Sequence, residues 1–204
     1  MVAATLAGMK PVHLETDRLA LRPFRTGDAP EFARLAGDWA VASMTSDIPF
    51  PFSAAQAMGW LRPVRGEARF AIELEGRLIG GAGYYRRASG VAELGFWLGR
   101  PWWGQGLATE AARAVVCYGF ANPRLPGFSS ARFDDNPASA RVLAKLGFEP
   151  VGRGMIACAA RGHEVEVVTY WLDRQRAQLA VPPILVAEAR PPRWRSWLNM
   201  LVGT

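Results

Sequence analysis

The chain has 204 residues, half of them hydrophobic, and a formal net charge of +6 at pH 7. That is enough for one sizeable domain with a real core, and no apolar run reaches the length a membrane span needs. Two cysteines without metal spacing and two histidines argue against a disulfide scaffold, a zinc site and a Ser-His-Asp triad.

Residues 1–8 are mildly apolar without a leading positive charge, so a signal peptide is not expected. Residues 18–24 read as the first strand, followed by a helix over 28–35 and a loop over 38–52. Ser53 caps a second helix that ends near Leu61, because Pro63 stops it. Residues 69–74 and 78–85 pair as a hairpin across Glu75-Gly76-Arg77. Ser89-Gly90 turns the chain into a strand over Ala92–Leu98, and a helix covers Leu107–Phe120. Strands at 129–133, Glu149–Cys158 and 165–172 complete the sheet, with a short helix after Asn136. Elements interleave without strict βαβ repetition, so a mixed sheet is expected. Cys117 in a helix and Cys158 in a strand read as buried, inert thiols, and a reducing cytoplasm is the expectation. Paired prolines at 182–183 and 191–192 set off a tail over 180–204. Residues 193–201 read as a short amphipathic arm packed on this domain or on a partner subunit, in preference to a membrane-surface anchor.

The stretch from Glu93 to Ala112 carries the most chemical information. An apolar strand enters a tight turn at Gly104 and Gly106, and the turn opens directly into an Ala-rich helix. Glycines let the backbone bend sharply and approach a ligand, and the first helical N–H groups have no partner within the helix. With the positive end of the dipole, these donors suit a phosphate or pyrophosphate. Leu107 follows Gly106, so the Gly-Lys-Ser/Thr ending of a nucleoside-triphosphate loop is absent. Thr109 stands where a dinucleotide fingerprint has its third Gly or Ala, and no carboxylate lies in 126–130, so that pattern is only partly matched. A plain strand–turn–helix corner is the bland alternative.

A second signal lies at Asp135-Asn136-Pro137-Ala138-Ser139, running on to Leu146-Gly147-Phe148. Asn136 suits an N-cap, Pro137 the first helical position and Gly147 the residue after the last turn. Trp-Gly-Gln-Gly-Leu-Ala at 103–108, followed by Asn-Pro-Ala-Ser and Leu-Gly-Phe, resembles the GNAT superfamily of acyl-CoA N-acyltransferases. Thr16-Asp17-Arg18-Leu19-Ala20-Leu21-Arg22-Pro23 is similar to the opening strand of its Rim-type (RimJ/RimL-like) branch. The resemblance covers residues 14–179, leaving an extension at 1–13 and the tail at 180–204. It implies an α+β fold of three layers, α/β/α. A twisted, mixed and mostly antiparallel sheet of six to seven strands would lie between helices.

The resemblance also implies acetyl transfer from acetyl-CoA to a primary amine by direct attack in a ternary complex, without a metal. Gly104, Gln105, Gly106, Leu107, Ala108 and Thr109 would cradle the pyrophosphate. Trp103 stands where many members have Gln or Arg, and simple packing beneath the loop is its expected role. The pantetheine arm would pair along Phe96, Trp97 and Leu98, with a backbone N–H of that strand polarising the thioester carbonyl. Asn136 would bond the pantetheine, cap its own helix, or both. Glu93 is the first candidate for the base, with a solvated strand-end charge as its alternative. Asp134 and Asp135 are weaker candidates for that role. The tyrosine acid of many members is replaced by Leu143, and Ser139 stands where Rim-type enzymes have a serine for that role. A peptide N-terminus has a pKa of about 8 against about 10.4 for lysine, so it needs little help to lose its proton.

The stretch from Asp38 to Leu61 should form the helices and loop over the acceptor side. Its apolar middle ranks a peptide N-terminus or a small amine above a polycationic acceptor. A homodimer is the family-based expectation, and the scattered arginines imply no specific nucleic acid. Two other classes stand beside the enzyme. One is a non-catalytic acyl-CoA-binding module, and the other a ribosome- or RNA-associated binder using the basic surface.

Overall fold

A computed structural model describes residues 12–64 and 66–180. The tail readings over 181–204 and the segment through Pro11 lie outside these residues. In chain order the strands are β1 (Leu14–Glu15), β2 (Leu19–Pro23), β3 (Glu67–Leu74), β4 (Arg77–Arg86) and β5 (Ala92–Leu98), then β6 (Gly127–Phe133), β7 (Glu149–Cys158) and β8 (His163–Asp173). The helices are α1 (Ala29–Ala36), α2 (Trp39–Ala42), α3 (Ala54–Trp60), α4 (Leu107–Phe120), α5 (Pro137–Lys145) and α6 (Arg174–Ala180).

The sheet runs β1-β2-β3-β4-β5-β6-β8-β7, and β5 against β6 is its parallel pair. Among the described residues it has eight strands, one more than the expected upper count. The extra one, β1, is two residues long and too short to show a period. Two helices were also invisible to pattern reading: α2, a single turn inside the expected 38–52 loop, and α6, which runs through the expected domain end at 179.

Side-chain alternation along the strands makes two cores. Phe70 and Ile72 of β3, with Ile79 of β4, face α4 and α5. Ala71 of β3 and Leu78 of β4 face the other way, toward α1, α2 and α3. Helix α4 lies close on the sheet because its buried face is small, with Ala111, Ala112 and Ala114 beside Val115 and Val116. Each fully buried branched aliphatic side chain contributes about 1.5–3 kcal/mol. At α3, Ser53 and Gln56 form the reciprocal capping box that satisfies two orphan donors.

Candidate functional site

Strands β5 and β6 pair only at Ala92↔Phe128 and Glu93↔Ser129, then diverge. Beyond that point the Ser130 hydroxyl donates to the Leu94 carbonyl at 3.0 Å. The phase of the β4–β5 ladder then follows from Gly99, whose N–H donates to Ile79. Alternate residues of an antiparallel strand bond to the same neighbour. Gly95 and Trp97 therefore bond to β4, and the backbone of Phe96 and Leu98 turns into the gap. A groove opens there, with the Phe96 backbone facing into it.

The glycine turn stands at the end of this groove. Gly104 and Gly106 have φ of +75° and +77°, in the left-handed region that favours glycine. A Cβ on Gly104 would meet nothing within 4 Å, so the turn is open there. Gly106 is the N-cap of α4 and no side chain caps it. The N–H groups of Leu107, Ala108 and Thr109 precede the first intrahelical bond, Glu110 N–H to Gly106. These features fit an anionic phosphate group on the grounds of both space and charge.

Arg18 and Glu110 brace the turn, and pattern reading missed that role. The Arg18 Nε donates to Glu110 Oε2 at 2.7 Å and its amide to Oε1 at 2.9 Å. The Thr16 hydroxyl donates to the same Oε1 at 2.6 Å, and Arg18 also reaches the Gln105 carbonyl at 3.1 Å. The only sequence signal was the Thr-x-Arg-Leu opening, which reads as the start of a strand.

A cavity of about 900 Å³ joins the groove to the face covered by α1–α3. The predicted site residues line it except Gln105, whose side chain donates to the Pro101 carbonyl instead, and the weaker base candidate Asp134. Trp103 is 46% exposed and its indole N–H donates to the Leu98 carbonyl at 2.7 Å. It is therefore not packed beneath the loop, because the end of β5 offers its indole a free acceptor. Asn136 caps α5 by accepting from the Ser139 amide at 3.0 Å. Ser139 is half-buried on the same wall. Leu143, in the position of the usual tyrosine, is fully buried. Asp134 is held by Arg153 and Arg132, and Asp135 by Arg161.

Glu93 points into the cavity, but Arg87 grips its Oε2. Burial and the neighbouring Glu93 carboxylate push the Tyr85 phenol up to about 12, so it stays neutral beside the pair. The far end is roofed by residues 43–48, which the β7–β8 hairpin holds down. There the Ala159 amide donates to Ser46 at 2.8 Å and Arg161 Nε to Ser43 at 2.7 Å.

A family model described as the acetyltransferase (GNAT) domain matches residues 18–149. The uncharacterized N-acetyltransferase YoaA of Bacillus subtilis (strain 168) is 34% identical over 149 residues, 68% of this chain and 84% of that protein. The uncharacterized N-acetyltransferase p20 of Bacillus licheniformis is 29% identical over 169 residues, 78% of this chain and 94% of its own. Among solved structures, Mycobacterium smegmatis RimJ in complex with CoA-disulfide is similar with a TM-score of 0.66 at 20% identity, covering 81% of this chain and 87% of that one. At that identity the likeness concerns the fold alone. Among the described residues no helix is long and apolar enough to cross a membrane.

Proposed function

The chain belongs to the GNAT acetyltransferase family, and from that premise we propose that it moves an acetyl group from acetyl-CoA to a primary amine by direct attack. The observation that carries the reading is the open left-handed turn at Gly104 and Gly106, set at the end of a groove where β5 has lost its neighbour. We assign the pyrophosphate to the turn and to the N–H groups of Leu107, Ala108 and Thr109. We assign the pantetheine arm to the strand edge over Phe96, Trp97 and Leu98, where the Phe96 backbone turns into the gap and suits an added strand. Bound there, the thioester supplies an activated acyl carbon and a thiolate leaving group. The Phe96 N–H, turned into the gap, is the donor we assign to the thioester carbonyl.

Glu93 is the proposed base and Ser139 the proposed proton donor to the thiolate. Glu93 can accept a proton through the carboxylate oxygen that Arg87 leaves free, directly or through one water. An acceptor with a pKa of about 8 asks little of such a base. The finer branch reading is Rim-type, supported by the Thr16–Pro23 opening and the fold likeness to RimJ. It favours a peptide N-terminus, with a small-molecule amine as the other acceptor.

Calorimetry with acetyl-CoA tests the donor site, with Gly106→Trp as control, followed by a panel of peptide and small amines. Binding lost in the control and turnover of an amine are the expected results. Absence of binding by the wild-type protein would overturn the reading. Glu93→Gln and Ser139→Ala should each lower kcat while leaving acetyl-CoA affinity intact. Full activity in both would remove them from the mechanism. The buried Leu143 favours one second reading, an acyl-CoA-binding module without catalysis. Binding without turnover of any amine would select it.

A further inference from the structure

On one face the middle of β5 is bare at Gly95, while its β4 neighbour Gly83 is buried and a Cβ built there would meet the β3 backbone at Ala68 and Arg69. Gly83 and Gly95 stand opposite each other across the two strands, and alternation puts them on the face that carries Tyr85, Glu93 and Trp97. Gly95 is exposed although it lies mid-strand in the interior of an eight-stranded sheet. A Cβ built on it would meet no atom within 4 Å, and its φ is not among the positive values. The backbone there does not require glycine. What the missing side chain leaves is room in the cavity.

The walls of that room are aromatic. Trp97 stands at one end, held edge-on by Phe32 with ring centroids 5.0 Å apart. Tyr85 and Glu93 stand at the other, and Phe24 and Trp60 line the same cavity. The Arg69 guanidinium sits over the Trp60 ring at 4.5 Å and fixes it. The carboxylates around the room are neutralised in pairs: Glu93 by Arg87, Glu67 by Arg69 and Asp135 by Arg161. Exposed Asp47 adds a single negative charge to the lining. A polycation would meet no row of free carboxylates here. A flat apolar group would meet a flat floor and aromatic edges, the geometry that rings prefer.

We infer that this glycine-floored slot receives a flat apolar group of the acceptor, so that the site selects a monoamine bearing an aromatic group over a polyamine. Gly95 is then a specificity-determining residue. The inference rests on the acetyl-transfer reading above. An arylalkylamine and a peptide with an aromatic first residue share this chemistry.

The test measures acetyl transfer to 2-phenylethylamine, a Phe-initiated tripeptide amide and spermidine by the wild-type protein, Gly95→Ala and Gly95→Val. Acetyl-CoA binding to each protein is measured alongside. Burial of one ring predicts that an aromatic amine exceeds spermidine in kcat/KM by about tenfold or more. The aromatic probe that does so identifies the source. Gly95→Val should raise KM for that amine by about tenfold and Gly95→Ala by less, with acetyl-CoA affinity unchanged. Preference for spermidine, or an acceptor KM indifferent to both substitutions, overturns the inference. Turnover of none of the three amines by a protein that binds acetyl-CoA overturns it as well. A protein that does not bind acetyl-CoA would sink the underlying reading too.

Discussion

Arg18 spans from the start of β2 to Glu110 on the first turn of α4, Nε to Oε2 at 2.7 Å, and so lays a cation beside the Gly104–Gly106 turn. Without it, an unneutralised carboxylate would stand within the first turn of the helix end to which we assign the pyrophosphate. Burial alone would raise the Glu110 carboxyl, but the Thr16 hydroxyl and Arg18 hold it below the usual range, so it stays ionised and paired. Arg18 is about half exposed, and solvent tempers its contribution. Arg18→Ala should weaken acetyl-CoA binding by about tenfold. Adding Glu110→Gln should restore part of that loss, because it removes the unneutralised charge. Calorimetry on the four proteins of this cycle decides it. Equal affinity in the wild type and Arg18→Ala would remove Arg18 from the site.

Gly106→Ala places a side chain on a left-handed backbone, a strain of about 1–2 kcal/mol. In a chain of this size each kcal/mol lowers Tm by about 2–4 °C. The larger effect should be on ligand affinity, since the same backbone aims the α4 donors. A thermal melt that falls slightly while acetyl-CoA binding is lost is the expected pair of results. Unchanged binding would show that the turn does not hold the ligand.

Arg22 is a buried cation with two carboxylate partners. Its NH1 and NH2 donate to Asp28 at 2.7 and 2.8 Å, and its Nε to Glu73 at 2.7 Å. Removing one partner of such a cluster costs about 3–5 kcal/mol, so Asp28→Asn should lower the urea midpoint markedly. Burial would raise the Asp28 carboxyl, yet Arg22 and the Arg25 amide hold it below its ordinary value. A depressed folded value contributes stability that is full above the unfolded pKa of about 4. It is lost as pH falls through the folded value. Urea titrations should show wild-type stability falling below pH of about 4 and a flatter profile in Asp28→Asn. Parallel profiles would contradict this account.

Tyr85 offers an alkaline readout of the Glu93 site. Its phenol is pushed up to about 12 by burial and by Glu93. A raised folded value gives a contribution that is full below pH of about 10 and lost as pH rises toward 12. Ultraviolet titration should show a phenolate step near 12 that vanishes in Tyr85→Phe and moves down in Glu93→Gln. An unmoved step in Glu93→Gln would mean that the two side chains do not interact.

The elements that could be read in advance carry their signals within a few residues. The spans Ala92–Leu98, Leu107–Phe120 and Glu149–Cys158 are those expected, and Asn136 caps its helix through the Ser139 amide. Strand β1 and helix α2, two and four residues long, are too short to show a period, although Asp38 caps α2 through the Ala40 amide. The residues proposed for the donor site from Phe96 to Thr109 follow the backbone of one continuous stretch, so they could be named from the sequence. Its partners on distant strands were not. Arg18 lies 92 residues from Glu110, and Arg161 lies 118 from Ser43.

By itself the sequence determined the strand–turn–helix corner, the capped α5 and the alternating strands. Backbone φ preferences, caps and hydrophobic period act between near neighbours. Tertiary structure alone decided three things: where β5 parts from β6, which arginine neutralises which carboxylate, and that Gly95 opens onto a cavity. Each depends on which strands lie side by side. A charge or a missing side chain takes its meaning from the atoms across from it, and those come from remote parts of the chain.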